Sequence, residues 1–123
     1  MTASRLIDTS IWLDYFYRSK FKEIIDTSEI LLVSILSVFE IRRKLYKDKI
    51  DPDKAATIME FLQKKSLIQP ISREIAEAAT KISFYHGIPA TDSLIYATAQ
   101  HHQAELITRD NDFRGLENAT ILR

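Results

Sequence analysis

The chain contains no cysteine, which excludes a disulfide framework, a thiolate-held metal and a cysteine nucleophile. Glycine and proline are scarce as well, two and three in 123 residues, so collagen-like, low-complexity and linker-like segments are absent. The three histidines, His86, His101 and His102, leave little material for a zinc site. Neither sign of charge is in excess. Lys+Arg and Asp+Glu both total 17, which argues against a general polyanion binder with a pI above about 9, while leaving local patches open. Long apolar runs are missing too. Asp8 interrupts the N-terminal segment, so no signal peptide is expected there. The most apolar stretch, Ile30 to Ile41, is broken by Ser34, Ser37 and Glu40 and falls short of the roughly 20 residues a bilayer span takes. A soluble, cytoplasmic protein without membrane contact is expected. Its length implies one domain over residues 1–123, long enough to bury around two-thirds of its unfolded surface.

What is present is an alternation of short apolar runs with helical patterns. Leu6-Ile7, Ile30 to Val33, Leu67-Ile68, Leu106-Ile107 and Ile121-Leu122 read as short strands buried on both faces, as parallel strands are. Between them the spacing predicts helices over 11–17 and 35–47, the first opened by Asp8-Thr9-Ser10. Asp51-Pro52-Asp53 is a strong helix start, followed by Ala55, Ile58, Met59 and Leu62 on one stripe. Ser72 opens a further helix that Gly87 is suited to end, and Pro89 introduces a last one running to the histidines. The pattern is that of an α/β domain, a three-layer α/β/α sandwich with a short, mostly parallel sheet.

Carboxylates stand out within this frame. Asp8 follows the first strand and Asp110 follows the Leu106-Ile107 strand, with Asp112 two residues on. Open parallel sheets bind ligands beyond the carboxyl ends of their strands. Asp92, near the start of an apolar helix, and Glu40, in the first turns of another, reach the same end. So many acids raise one another's pKa unless a cation shares them, and all-oxygen ligation favours Mg²⁺ or Mn²⁺. Each acid also has an ordinary structural role available. Asp8 suits a helix cap, Ser37 with Glu40 fits a capping box, Glu40 with Lys44 fits an i, i+4 pair, Asp92 suits a first helical turn, and Asp110-Asn111-Asp112 suits a turn.

Taken together, these segments resemble a PIN domain, in particular the small single-domain type of VapC ribonuclease toxins. Leu6-Ile7-Asp8-Thr9-Ser10 resembles the family's opening strand. Glu40 within Ser37-Val38-Phe39-Glu40-Ile41 matches its helix-borne glutamate, and Asp92 within Pro89-Ala90-Thr91-Asp92-Ser93-Leu94-Ile95 its third acid. Thr108-Arg109-Asp110-Asn111-Asp112-Phe113 matches its T-x-D-x-D-F segment, making Asp110 the fourth acid and Asp112 an auxiliary one. The resemblance implies metal-dependent endonucleolytic cleavage of RNA, a homodimer, and a VapB-like antitoxin that wraps the chain and blocks its site.

On this reading Asp8, Glu40, Asp92 and Asp110 are the catalytic candidates, and with Asp112 the metal ligands. A metal-activated water then hydrolyses the phosphodiester, leaving a 5′-phosphate, with Glu40 able to orient the water. Ser10 and Thr108 are placed to fix carboxylate rotamers by hydrogen bonds. Arg109, Arg43 and Lys44 are candidates for substrate phosphates, the last two within a basic run from Arg42 to Lys49 that is equally a solvated helix face. Trp12, Tyr15, Phe16 and Tyr17 are assigned to the core, and the terminal histidines to the end of their helix. A dehalogenase-type phosphatase is disfavoured because Ser10 stands where its second Asp is needed. The alternative is a PIN-like domain that binds RNA or scaffolds without cutting.

Overall fold

The computed structural model describes residues 4–123. Five strands form one sheet, β1 (Arg5–Ile7), β2 (Leu31–Ser34), β3 (Ser66–Gln69), β4 (Glu105–Thr108) and β5 (Ala119–Ile121). The order is β3-β2-β1-β4-β5 and every pairing is parallel. Six α-helices connect them: α1 (Thr9–Arg18), α2 (Lys22–Ile25), α3 (Ile35–Lys47), α4 (Pro52–Lys65), α5 (Arg73–His86) and α6 (Ala90–His101). A single 3₁₀ turn covers Asn111–Phe113. Among the described residues no helix is long and apolar enough to cross a membrane.

Alternation along the strands assigns the two faces. Ile7 and Ile107 pack with Ile11, Trp12, Ile41, Leu45 and Leu62 of α1, α3 and α4, while Leu6 and Leu106 pack with Ile95, Tyr96 and Ala99 of α6 on the other side. Helix α5 lies outside α6, with Ile75 and Ala79 against Ala97. The sandwich expected from the alternating pattern is therefore present, with an all-parallel sheet buried on both faces. Trp12 is buried and Tyr15 and Phe16 pack against it together with Phe61, but Tyr17 does not join the core as expected: it is exposed, with its hydroxyl donating to Asp48 Oδ2 at 2.7 Å.

The helix boundaries follow local chemistry. Asp51 accepts from the amides of Asp53 and Lys54 at the start of α4, Ser72 accepts from Ile75 N at the start of α5, and Gly87 ends α5 at φ 66°. One expected element shifts and one element was not expected. The last strand is Ala119–Ile121 instead of Ile121-Leu122, because Thr120 pairs with Ile107 at the sheet edge. Helix α2 is one four-residue turn that carries no apolar period to announce it.

The chain runs outward from β1 through β2 to β3, then returns to lay β4 on the other side of β1. The strand order reverses between β1 and β4, and the crevice at such a switch point is where open α/β sheets hold ligands.

Candidate functional site

At the end of β1 the backbone of Asp8 is still in the sheet, its N–H donating to Ile107 O at 2.9 Å. Asp8 occupies the cap position of α1 with an extended φ/ψ, yet its side chain makes no capping hydrogen bond. The carboxylate turns instead into the β1/β4 crevice, where Oδ2 accepts from Ser10 Oγ and from Thr108 Oγ1, both at 2.8 Å. Thr108 Oγ1 also accepts from Asp110 N at 2.9 Å, and Ser10 Oγ from Arg109 N at 3.1 Å. Two hydroxyls thereby tie the end of β1 to the segment following β4. Burial pushes the Asp8 carboxyl up, against the opposing effect of the Ser10 and Thr108 hydroxyls and of the nearby Thr9 and Ser10 amides.

Thr9 points the other way, toward α3. Its Oγ1 lies 2.6 Å from Glu40 Oε1 and 2.8 Å from Ser37 Oγ. A carboxylate only accepts, so Thr9 donates to Glu40 and Ser37 supplies its own proton to Thr9. The capping-box alternative for Ser37 and Glu40 does not hold. The cap of α3 is Ser34, whose Oγ accepts from Leu36 N at 3.1 Å, and Ser37 is buried inside the helix. The Glu40–Lys44 pair is not formed either, since Lys44 Nζ sits 3.0 Å from Asp48 Oδ2.

Asp92 lies in the first turn of α6, which begins after Pro89 with no side-chain cap. Its carboxylate meets the loop after β4. One oxygen each of Asp92, Asp110 and Asp112 lie within 4.8 Å of one another. Asp110 Oδ1 accepts from Asp112 N at 2.9 Å, which holds the 3₁₀ turn carrying both acids. Burial, then Asp110, a hydrogen bond with Asp112 and the charge of Asp8 push the Asp92 carboxyl up to about 7. Two carboxyls in hydrogen-bond contact need a proton or a cation between them.

The expected acids thus divide. Asp92, Asp110 and Asp112 form the compact set, Asp8 borders it closely enough to shift Asp92, and Glu40 is held on the α3 side by Thr9. Asp112, read from sequence as auxiliary, is a full member of the set. An all-oxygen group with this spacing, carrying a charge conflict it cannot settle alone, fits a hard divalent cation of the Mg²⁺ or Mn²⁺ kind. The donor set lacks the His or Cys that zinc prefers.

Arg109 does not project as a free cation. It pairs with Asp14 of α1 and lies over the Phe21 ring, 5.9 Å from its centroid. Asp14, Thr9 and Ser37 are the partners that sequence reading missed. Only Thr9 had a signal, a hydroxyl next to Asp8 that alternation sends to the opposite side.

Comparison with known proteins fits this geometry. The PIN domain family model matches residues 5–118. Comparison with curated proteins gave no match. Among solved structures, a toxin–antitoxin complex from Klebsiella pneumoniae is 28% identical with a TM-score of 0.80, over 95% of this chain and 96% of that one. A DNA-bound VapBC from Salmonella typhimurium is 14% identical with a TM-score of 0.81, over 98% of each chain. A sarcin–ricin-loop-cleaving VapC toxin of Mycobacterium tuberculosis is 13% identical with a TM-score of 0.72, over 94% of this chain and 96% of that one. With the family match spanning nearly the whole sequence and the acids gathered at the switch point of an all-parallel sheet, the chain belongs to the PIN-domain family.

Proposed function

We infer that the protein is a metal-dependent endoribonuclease, the toxin of a VapBC-type pair, with residues 1–123 forming one nuclease domain in the cytoplasm. The observation that carries this reading is the oxygen-only trio Asp92, Asp110 and Asp112 beside buried Asp8, a group that is electrostatically incomplete without a cation. Relatives described as toxin–antitoxin complexes, and one as a toxin that cleaves the sarcin–ricin loop, support the nuclease and toxin assignment.

Asp8, Asp92, Asp110 and Asp112 would hold Mg²⁺ or Mn²⁺, with Glu40 ligating directly or through water. When bound, the ion supplies positive charge for the phosphoryl oxygens and a more acidic water. The chain's own residues do the rest. Ser10 and Thr108 pin the Asp8 rotamer, so its free oxygen faces the crevice without reorganisation. Thr9 engages one oxygen of Glu40 and leaves the other to orient a water for in-line attack. The Asp110–Asp112 turn presents two carboxylates on one rigid backbone.

A VapB-like antitoxin is the partner, by likeness to the toxin–antitoxin complexes. Self-association as a homodimer would cover the exposed Phe84–Tyr85 pair on α5, whose rings stack edge to face at 5.1 Å.

The test is cleavage of a structured RNA panel in Mg²⁺, Mn²⁺ or EDTA by antitoxin-free protein, comparing wild type with Asp8→Asn and Asp92→Asn. Metal-dependent cutting lost in both variants is the expected result. A wild type that binds neither metal nor RNA would make the acids structural and the domain a non-catalytic module.

A further inference from the structure

Beside Glu40 the surface opens into a groove of about 360 Å³, lined among others by Thr9, Leu13, Phe39, Glu40, Arg43 and Lys47. Glu40, Arg43, Lys44 and Lys47 recur at three- and four-residue intervals, so they share one face of α3. Within that face the cations are not equivalent. Lys44 is engaged by Asp48 and rests over the Tyr17 ring at 5.4 Å. Among the described residues, neither Arg43 nor Lys47 has an acidic partner within 4.0 Å. They stand one helical turn apart, about 6 Å along the axis. A chain of zero net charge therefore places two cations without a direct ion pair beside Glu40.

Phe39 is the odd member of this groove. It is 63% exposed, although it directly precedes Glu40, and Val38 and Ile41 on either side of this pair pack inward. An exposed phenylalanine at the head of a helix face that continues through a carboxylate to two cations without direct ion pairs has an apolar face to offer to a ligand. A phosphate backbone with unstacked bases needs both features, and an aromatic face accepts any base.

The geometry points to this groove as the track of single-stranded RNA entering the site, with Arg43 and Lys47 holding phosphates and Phe39 stacking a base next to the scissile bond. The assignment rests on the ribonuclease reading above and adds a substrate-positioning role for Phe39, Arg43 and Lys47. The groove adjoins a second one that shares Leu13 and Lys44 and reaches Ser10, whose hydroxyl donates to Asp8, and Arg109, which precedes Asp110. An acidic peptide would use the cations equally well but would have no need of an exposed aromatic face beside Glu40.

The test compares wild type, Phe39→Ala, Phe39→Trp and the double variant Arg43→Gln/Lys47→Gln. One readout is anisotropy of a labelled 12-nucleotide single-stranded RNA in Ca²⁺ over a range of salt. The others are the KM and kcat of cleavage in Mg²⁺. Phe39→Ala should weaken binding about tenfold or more through KM, with kcat nearly unchanged, and Phe39→Trp should restore it. The double variant should lower the slope of log affinity against log salt by about 1.4, at roughly 0.7 per phosphate contact on a single strand. All three should melt with wild type, since these side chains are at the surface. Wild-type affinity and slope in both Phe39→Ala and the double variant, in protein that still cuts RNA, would overturn the track and leave the nuclease standing. Loss of antitoxin binding with RNA cleavage intact would also overturn it, making the groove a protein-docking surface. A wild type that neither binds nor cuts RNA would remove the nuclease reading and the track together.

Discussion

Asp8 and Asp92 belong to one crevice, but their surroundings differ. Asp8 receives two side-chain hydroxyls, from Ser10 and Thr108, whereas Asp92 meets chiefly other carboxylates, Asp110 and Asp112. Both are raised above the ordinary carboxylate range, Asp8 by burial alone and Asp92 by burial compounded by like charge. The first is a finished hydrogen-bonded unit, positioned whether or not an ion is bound. The second is a charge conflict that folding alone leaves standing. On the proposed reading, the rigid half would fix where a cation sits, and the frustrated half would supply the drive to take it up.

The sharpest way to break this contrast is Asp92→Asn. It should lower RNA cleavage by roughly a thousandfold, the scale of losing one element of transition-state charge stabilisation. In EDTA at pH 8 the same variant should be at least as stable as wild type in a thermal melt, because it removes repulsion. A variant that cuts well, or that unfolds in EDTA, would collapse the distinction between the halves.

Thr108→Val tests the finished half. Losing a buried hydroxyl partner of Asp8 should weaken Mn²⁺ binding in calorimetry by about 10–100-fold. It should also destabilise the fold by about 1–3 kcal/mol in urea unfolding. Thr108→Ser should behave as wild type in both measurements.

The two halves share one dependence on pH. In each case the folded carboxyl titrates above the ordinary value of 3.8, Asp92 at about 7. The folded state therefore holds protons that the unfolded state has released. The stability they contribute is complete below about pH 3.8 and is lost as pH rises toward 7 and through it. Urea unfolding in EDTA should show a decline of about 1 kcal/mol between pH 5 and pH 8, allowing for solvent screening of the half-exposed Asp92. Saturating Mg²⁺ should flatten it.

Asp112→Asn should have the smallest effect. Asp112 is exposed and its backbone bond to Asp110 is kept, and an asparagine amide can still hydrogen-bond Asp92, so the main loss is one negative charge. Activity should fall no more than about tenfold. The Asp92 carboxyl, followed by NMR titration, should move down from about 7.

Much of this was legible in the sequence for local reasons. Strands buried on both faces must be apolar throughout, so Leu6-Ile7 and Leu106-Ile107 declared themselves. Asp51, Ser72 and Gly87 act within three residues of a helix end. The placement of Asp8 and Asp110 at strand ends follows from the same runs. Contacts across long stretches of chain were not legible. Whether Asp8 caps α1 or turns toward Thr108 depends on a residue 100 positions away, and the anchoring of Glu40 by Thr9 spans 31. Arg109 looked available for phosphate because Asp14, its partner, lies 95 residues upstream. Short elements were hard to read as well: α2 is too short to display a period, and β5 was expected but two residues late, at Ile121-Leu122.

The bond between Asp8 and Thr108 has a bearing on the order in which the molecule comes into being. Asp8 is translated 100 residues before Thr108, so the strand that completes its surroundings, and the turn bearing Asp110 and Asp112, follow it only after the intervening helices and strands have been made. Until β4 emerges, the nascent chain holds isolated acids and no assembled cluster. The acid cluster therefore assembles only once β4 and the turn after it have been made, and a product ending before β4 lacks Thr108, Asp110 and Asp112 altogether.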